Sequence, residues 1–242
     1  MIVRLVPGVE IVRIAKSAGF DTLYIDLEHS SFSIHTASQI CIMALEAGIP
    51  AFVRVPANKP EYISRVLDAG ALGVIAPGVR SADEAGAVVA AAKYPPLGER
   101  GLATGLPHFG YRSVPIAEAL AAMDQATMVV VQFESAAALA AMAEIVAVEG
   151  VDMVLIGSND LLADLGLAGQ YDHRELHQAY ERTIAACRKH GKHVGVGGLA
   201  ARPDLVEKFV KMGARYVSTG TDLAFLVAEC NRRAQQVKGL KL

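Results

Sequence analysis

Eight short runs rich in β-branched and other apolar residues recur along the chain, each followed by a segment of helical periodicity. The runs are Ile2–Val6, Thr22–Ile25, Ala51–Val55, Gly73–Ala76, Met128–Phe133, Met153–Ile156, His193–Val196 and Arg215–Ser218. Apolar spacings of three and four predict helices near Val9–Ser17, Ile34–Glu46, Pro60–Leu67, Ala82–Ala92, Ala136–Ala147, Arg174–Lys189, Arg202–Lys211 and Asp222–Gln236. Strands always separated by helices cannot pair as hairpins; they need a parallel sheet, and strands apolar on both faces need helices outside it. Eight repeats in 242 residues predict an α/β chain with a single (β/α)8 TIM barrel domain over 1–242, a doubly wound open sheet being the rival. Glycine recurs where helix gives way to strand, at Gly19, Gly70 and Gly213, and as an αL cap it marks the barrel's floor.

One segment breaks the rhythm. Tyr94 to Gln125 separates the fourth helix from the fifth strand, and insertions of that length in compact domains are usually functional. Its His108, Phe109, Tyr111 and Arg112 suit a lid or an oligomer contact, so a lid or insertion is expected at about 94–125.

Composition narrows the function by exclusion. A formal charge of −2 with both signs interspersed carries no basic stripe for nucleic acid, which leaves a small molecule as the expected partner. No run approaches the roughly 18 apolar residues of a membrane helix, so no membrane partner is expected. The opening Met1-Ile2-Val3-Arg4 lacks a secretory pattern, and a cytoplasmic location is expected. Cys41, Cys187 and Cys230 are scattered and read as small buried side chains. Gly195, Gly197 and Gly198 fail the G-x-G-x-x-G spacing, so no nucleotide is expected.

In a parallel barrel the strand C-terminal ends face the active-site mouth. Asp26, Glu28 and His29 follow strand two, Arg54 ends strand three, Gln132 and Glu134 end strand five, and Asn159 and Asp160 follow strand six. Plainer roles compete: Arg54 pairing with Asp26, His29 as a hydrogen-bonded loop histidine, Asp160 as an N-cap for a helix beginning Leu161-Leu162. Taken together the rim favours chemistry. Glu134 and Asp160 on adjacent strands are two hard oxygen ligands that repel unless a cation lies between them, which points to Mg²⁺ or Mn²⁺, with Co²⁺ or Zn²⁺ as further candidates. Such a site polarises a 2-oxo acid, Arg54 stabilises the oxyanion, and His29 moves the proton. The alternative route to the same chemistry, a Schiff base, needs a lysine near the strand ends; only Lys59 sits on an upper loop, and Pro60 beside it suggests a helix start.

These residues form a set with wider precedent. Ile25-Asp26-Leu27-Glu28-His29, Val53-Arg54-Val55-Pro56, Leu67-Asp68-Ala69-Gly70-Ala71, Tyr94-Pro95-Pro96-Leu97-Gly98-Glu99-Arg100-Gly101, Gln132-Phe133-Glu134, Val148-Glu149-Gly150-Val151-Asp152 and Ile156-Gly157-Ser158-Asn159-Asp160-Leu161 together resemble the HpcH/HpaI family of class II pyruvate aldolases, over essentially the whole chain. The resemblance implies a barrel assembled as a hexamer, a trimer of dimers with the last helix exchanged between partners. It implies reversible cleavage of a 4-hydroxy-2-oxo acid, or a 2-keto-3-deoxy sugar acid, to pyruvate and an aldehyde. Glu134 and Asp160 would hold the metal, Arg54 would stabilise the enolate, His29 would be the acid–base group, and Gln132, Ser158 and Asn159 would lie at the pyruvate. Asp68 matches an aspartate that the family credits with raising the histidine's basicity, although its place after the third helix puts it near the floor; Asp26 is the rival, and Asp26 and Glu28 otherwise support the site. Ser158 stands where many members have proline and Leu162 where serine is common, so substrate preference is open. Related enolate chemistry, oxaloacetate decarboxylation or a citrate-type condensation with an acyl-thioester, is the alternative.

Overall fold

The computed structural model describes residues 1–240. Its strands are β1 (Ile2–Val3), β2 (Leu23–Asp26), β3 (Ala51–Arg54), β4 (Gly73–Ala76), β5 (Met128–Phe133), β6 (Met153–Gly157), β7 (His193–Gly197) and β8 (Tyr216–Val217). The helices are α1 (Glu10–Ser17), α2 (Ile34–Ala47), α3 (Pro60–Asp68), α4 (Ala82–Ala92), α5 (Ile116–Ala126), α6 (Ala136–Ala140), α7 (Met142–Ala147), α8 (Ser158–Asp164), α9 (Arg174–Lys189), α10 (Pro203–Met212) and α11 (Asp222–Lys238). All strands pair in parallel in the order β1 to β8, one curled, barrel-like sheet. The two edges approach each other: the Ile2 N–H donates to the Gly220 carbonyl at 3.0 Å, and Ile2 makes a single bridge to Thr221.

Side chains alternate across each strand, and register sorts them into two cores. Tyr24, Phe52, Ile75, Val130, Met153 and Leu155 pack inside the curl, while the larger core of Val3, Ile25, Val53, Val74, Val131, Val154 and Val196 lies between sheet and helices. Two residues further along from the inner apolar layer, the same face carries Asp26, Arg54, Gln132 and Gly157. The mouth is therefore the polar continuation of the inner core.

Ser33, Ser81, Ser135 and Thr221 begin α2, α4, α6 and α11 by accepting the backbone N–H three residues on, which keeps the loops above the strands short and fixed. Gly19, Gly70 and Gly213 adopt positive φ at the floor, as the cap reading requires.

Three expectations are corrected. Strand one ends at Val3 rather than Val6, because the N–H groups of Arg4, Leu5 and Val6 turn to the buried Asp222 carboxylate (3.1, 3.0 and 2.8 Å) at the start of α11. The expected helix over Ala136–Ala147 is two helices meeting at Ala141. α8 begins at Ser158 rather than Leu161, so Asp160 lies in its first turn and makes no side-chain cap.

The segment 94–125 is an insertion with a small core of its own. The segment contains α5 and packs Leu106 and Met123 on Tyr94. A His108 ring nitrogen meets the Ala71 carbonyl at 3.1 Å below β4, and Lys93 is buried with its ammonium on the carbonyls of Asp124 and Thr127. These contacts lie on the floor, where a helix end hands over to a strand start. No described helix is long and apolar enough to cross a membrane.

Candidate active site

The end of β2 and the end of β3 are joined by a buried ion pair. The Arg54 Nε and Nη2 donate to the two Asp26 oxygens at 3.0 and 2.7 Å, a bidentate fork with Asp26 1% exposed. Asp26 Oδ1 also accepts the N–H groups of Glu28 and His29, so one carboxylate shapes the loop that carries the histidine. Burial pushes the Asp26 carboxyl up, but the Arg54 hydrogen bonds and charge outweigh it and hold it below the usual range. Arg54 Nη1 lies 2.8 Å from Glu28 Oε2, outside the angular range of a hydrogen bond, and the guanidinium sits 5.5 Å over the Tyr24 ring. Carboxylates on both sides hold Arg54 charged.

The His29 ring is exposed, with Nε2 at 3.8 Å from Glu28 Oε2. Asp26 bonds the backbone of His29, not its ring, and Asp68 pairs with buried Arg100 at 2.6 Å near the floor. Within the described chain the acidic neighbour of the imidazole is thus Glu28, which the sequence assigned only a supporting place.

Glu134, one residue past β5, is fixed at both oxygens: the Gly78 N–H donates to Oε2 at 2.9 Å and the Gln132 amide donates to Oε1. Burial raises its pKa, the Gly78 hydrogen bond opposes this, and the charges of Asp160 and Glu28 add to it, bringing the group to about 7. Gln132 Oε1 is buried with no hydrogen-bond partner, and turning the amide over would set that oxygen against the carboxylate. Asn159 accepts from the Tyr171 hydroxyl at 2.8 Å, and buried Ser158 pairs with Tyr180 at 2.9 Å.

Two adjoining hollows share His29 and Asp160 as a wall. One of 390 Å³ is lined by Glu28, Glu134, Arg80 and Asp164, the other of 430 Å³ by Arg4, Tyr24, Arg54, Gln132, Asn159 and Tyr171. Neither lining includes a lysine among the described residues; Lys59 precedes α3 with Pro60 in the first turn. Crowded carboxylates, with the proton affinity of Glu134 raised, and an unpartnered amide oxygen beside them are a donor set that fits a hard divalent cation.

Gly157, Gly78 and Tyr171 belong to this site and were not foreseen. Gly157 is the sharpest case: a Cβ there would lie 2.9 Å from Glu134 Cγ and 3.0 Å from Gln132 Nε2. Gly157→Ala is therefore expected to displace the Glu134 carboxylate and lower turnover by about 10²-fold, the usual cost of a misplacement near 1 Å. Steady-state kinetics beside an unchanged circular dichroism spectrum would check it.

A parallel, barrel-like α/β fold with carboxylates, an arginine and a histidine gathered at its strand ends defines a mouth-centred enzyme. Residues 8–228 match the family described as HpcH/HpaI aldolase/citrate lyase, and the chain belongs to that family. It is 40% identical over 94% of its length to 4-hydroxy-4-methyl-2-oxoglutarate aldolase of Hapsidospora irregularis, covering 87% of that protein. It is 39% identical over 86% of its length to 4-hydroxy-2-oxo-heptane-1,7-dioate aldolase of Salmonella typhimurium, covering 78%. The crystal structure of an HpcH/HpaI aldolase from Desulfitobacterium hafniense DCB-2 superposes with a TM-score of 0.93 at 32% identity, covering 99% of this chain and 92% of that one. The chain is an aldolase-type lyase.

Proposed function

We propose that the chain reversibly cleaves a 4-hydroxy-2-oxo acid to pyruvate and a second carbonyl compound. The observation that carries this reading is the convergence of Glu134, Asp160, Arg54 and His29 on two adjoining hollows. Glu134 and Asp160 would hold a divalent cation, Mg²⁺ or Mn²⁺, which when bound supplies Lewis-acid polarisation of the 2-oxo group. Arg54 uses two of its five donors on Asp26 and faces Glu28 as an ion pair only, leaving the rest of the fork for the oxyanion at C2. His29 takes the C4 hydroxyl proton, and Glu28 stabilises the imidazolium that forms. The C3–C4 electron pair then moves into the enolate, the C4 fragment leaves as an aldehyde or ketone, and protonation at C3 gives pyruvate. Gln132 and Asn159 orient the pyruvate part, with Ser158 beneath them.

The assembly belongs to the same reading. The sheet closes as a (β/α)8 barrel through the Ile2 contacts, and the protein is a cytoplasmic homohexamer, a trimer of dimers. Phe225, Leu226 and Val227 on α11 are 40 to 51% exposed, which supports exchange of that helix with a partner. A neighbouring subunit could then bring Asp68 or the 94–125 segment to the mouth.

The test offers the enzyme a 4-hydroxy-2-oxo acid, oxaloacetate, and pyruvate with an acyl-thioester side by side. Pyruvate release from the first should dominate, and borohydride with substrate should leave no covalent adduct by mass spectrometry. Preferred condensation with the thioester, or an adduct on Lys59, would overturn the reading.

A further inference from the structure

We infer that Arg4 is a specificity-determining residue of this site, the group whose guanidinium selects substrates with a second carboxylate on the fragment that leaves as the carbonyl compound. The inference rests on the aldolase reading above. Two arginines line the 430 Å³ hollow, and they differ in what they face. Arg54 is answered by Asp26 and Glu28. The Arg4 guanidinium has no ion-pair or hydrogen-bond partner among the described residues, although it stands at the mouth end of β1 on the wall of the same hollow. Its backbone is nevertheless fixed: the Asp222 carboxylate receives the N–H groups of Arg4, Leu5 and Val6, so the residue is presented from a tied-down turn.

The space beside Arg4 is made by omission. The inner-face positions of β6 and β7 at this height are Gly157 and Gly197, and Ser218 follows β8; all three line the hollow. Gly198, Ala200, Ala201 and Gly220 continue the wall with side chains no larger than a methyl, while Thr221 and Tyr171 supply hydroxyls. A hollow this size accepts a whole small-molecule ligand rather than a three-carbon acid alone. A fragment without charge would leave the guanidinium facing only water. A carboxylate would meet a planar donor fork suited to bidentate recognition.

The experiment compares kcat/KM for a 4-hydroxy-2-oxo diacid and for the same compound with its distal carboxylate converted to the primary amide. The wild type should prefer the diacid by roughly 10- to 100-fold, the worth of one charge-assisted contact. Arg4→Met should collapse that ratio to near one, and Arg4→Lys should restore part of it. Circular dichroism and thermal melting confirm that each variant is folded. Deuterium exchange into the methyl group of pyruvate, followed by NMR on the wild type without any carbonyl partner, reads the enolate half-reaction by itself. Exchange with no preference for the diacid, or a preference that survives Arg4→Met, would overturn the role of Arg4 and leave the aldolase reading standing. Absence of both exchange and cleavage in the wild type would overturn the aldolase reading and the inference with it.

Discussion

Glu134→Gln should lower pyruvate release by at least about 10³-fold, as loss of a metal-binding carboxylate and several kcal/mol of transition-state stabilisation requires. The amide keeps the shape and still accepts from the Gly78 N–H, so the fold should persist and the loss should be chemical. Chelator should reduce the wild type to a similar level, and Mg²⁺ or Mn²⁺ should restore the wild type but not the variant. The raised proton affinity of Glu134 makes the prediction sharper. A folded carboxyl near 7 against an ordinary 4.5 favours the protonated form, so in the cation-free protein its stabilising contribution is complete below about 4.5 and is lost as pH rises through about 7. A bound cation must displace that proton. Apparent Mn²⁺ affinity should then fall about tenfold per pH unit below 7 and level off above it. Titration of Mn²⁺ by electron paramagnetic resonance from acid to neutral pH reads this directly, and an affinity indifferent to pH in that interval would remove Glu134 from the site.

The eight strands were legible because short β-branched apolar runs and helical spacings are local. Every predicted run overlaps an observed strand, from Ile2–Val3 to Tyr216–Val217. The ends were less legible because tertiary partners set them: Arg4, Leu5 and Val6 carry strand-forming chemistry, but a carboxylate more than two hundred residues away claims their N–H groups. The polar rim could be listed from the sequence, since Asp26, Arg54, Gln132 and Glu134 interrupt apolar runs at their C-terminal ends. Which of them touch could not. That Asp26 spends its charge on Arg54 and on the backbone of His29, while Glu28 faces the imidazole, depends on the register of β2 against β3. Gly157 reads in sequence as an unremarkable strand end, and its meaning appears only when Glu134 lies against it. The 94–125 segment was legible as an insertion, but its contacts were not: that His108 meets the Ala71 carbonyl at the floor follows from the topology of a helix-to-strand connection.

Arg54→Met separates the energetic role of this arginine from its chemical one. Removing the guanidinium leaves Asp26 buried without a counter-charge, and breaking a buried pair from one side costs about 3–5 kcal/mol. For a chain of this length the melting temperature should fall by about 6–20 °C. The same change removes the donor fork expected at the C2 oxyanion, so kcat should drop by about 10²–10³-fold. Arg54→Lys keeps the charge but cannot grip both Asp26 oxygens and still present a planar fork to substrate, so it should recover stability more than rate. The double variant Asp26→Asn, Arg54→Met takes the argument further. With both charges gone the buried desolvation penalty disappears, and most of the lost stability should return, since coupled residues do not add. Activity should not return, because the arginine donor fork is then missing from the developing oxyanion. A double variant that regained turnover along with its melting temperature would show that Arg54 serves Asp26 and the loop carrying His29 rather than the substrate.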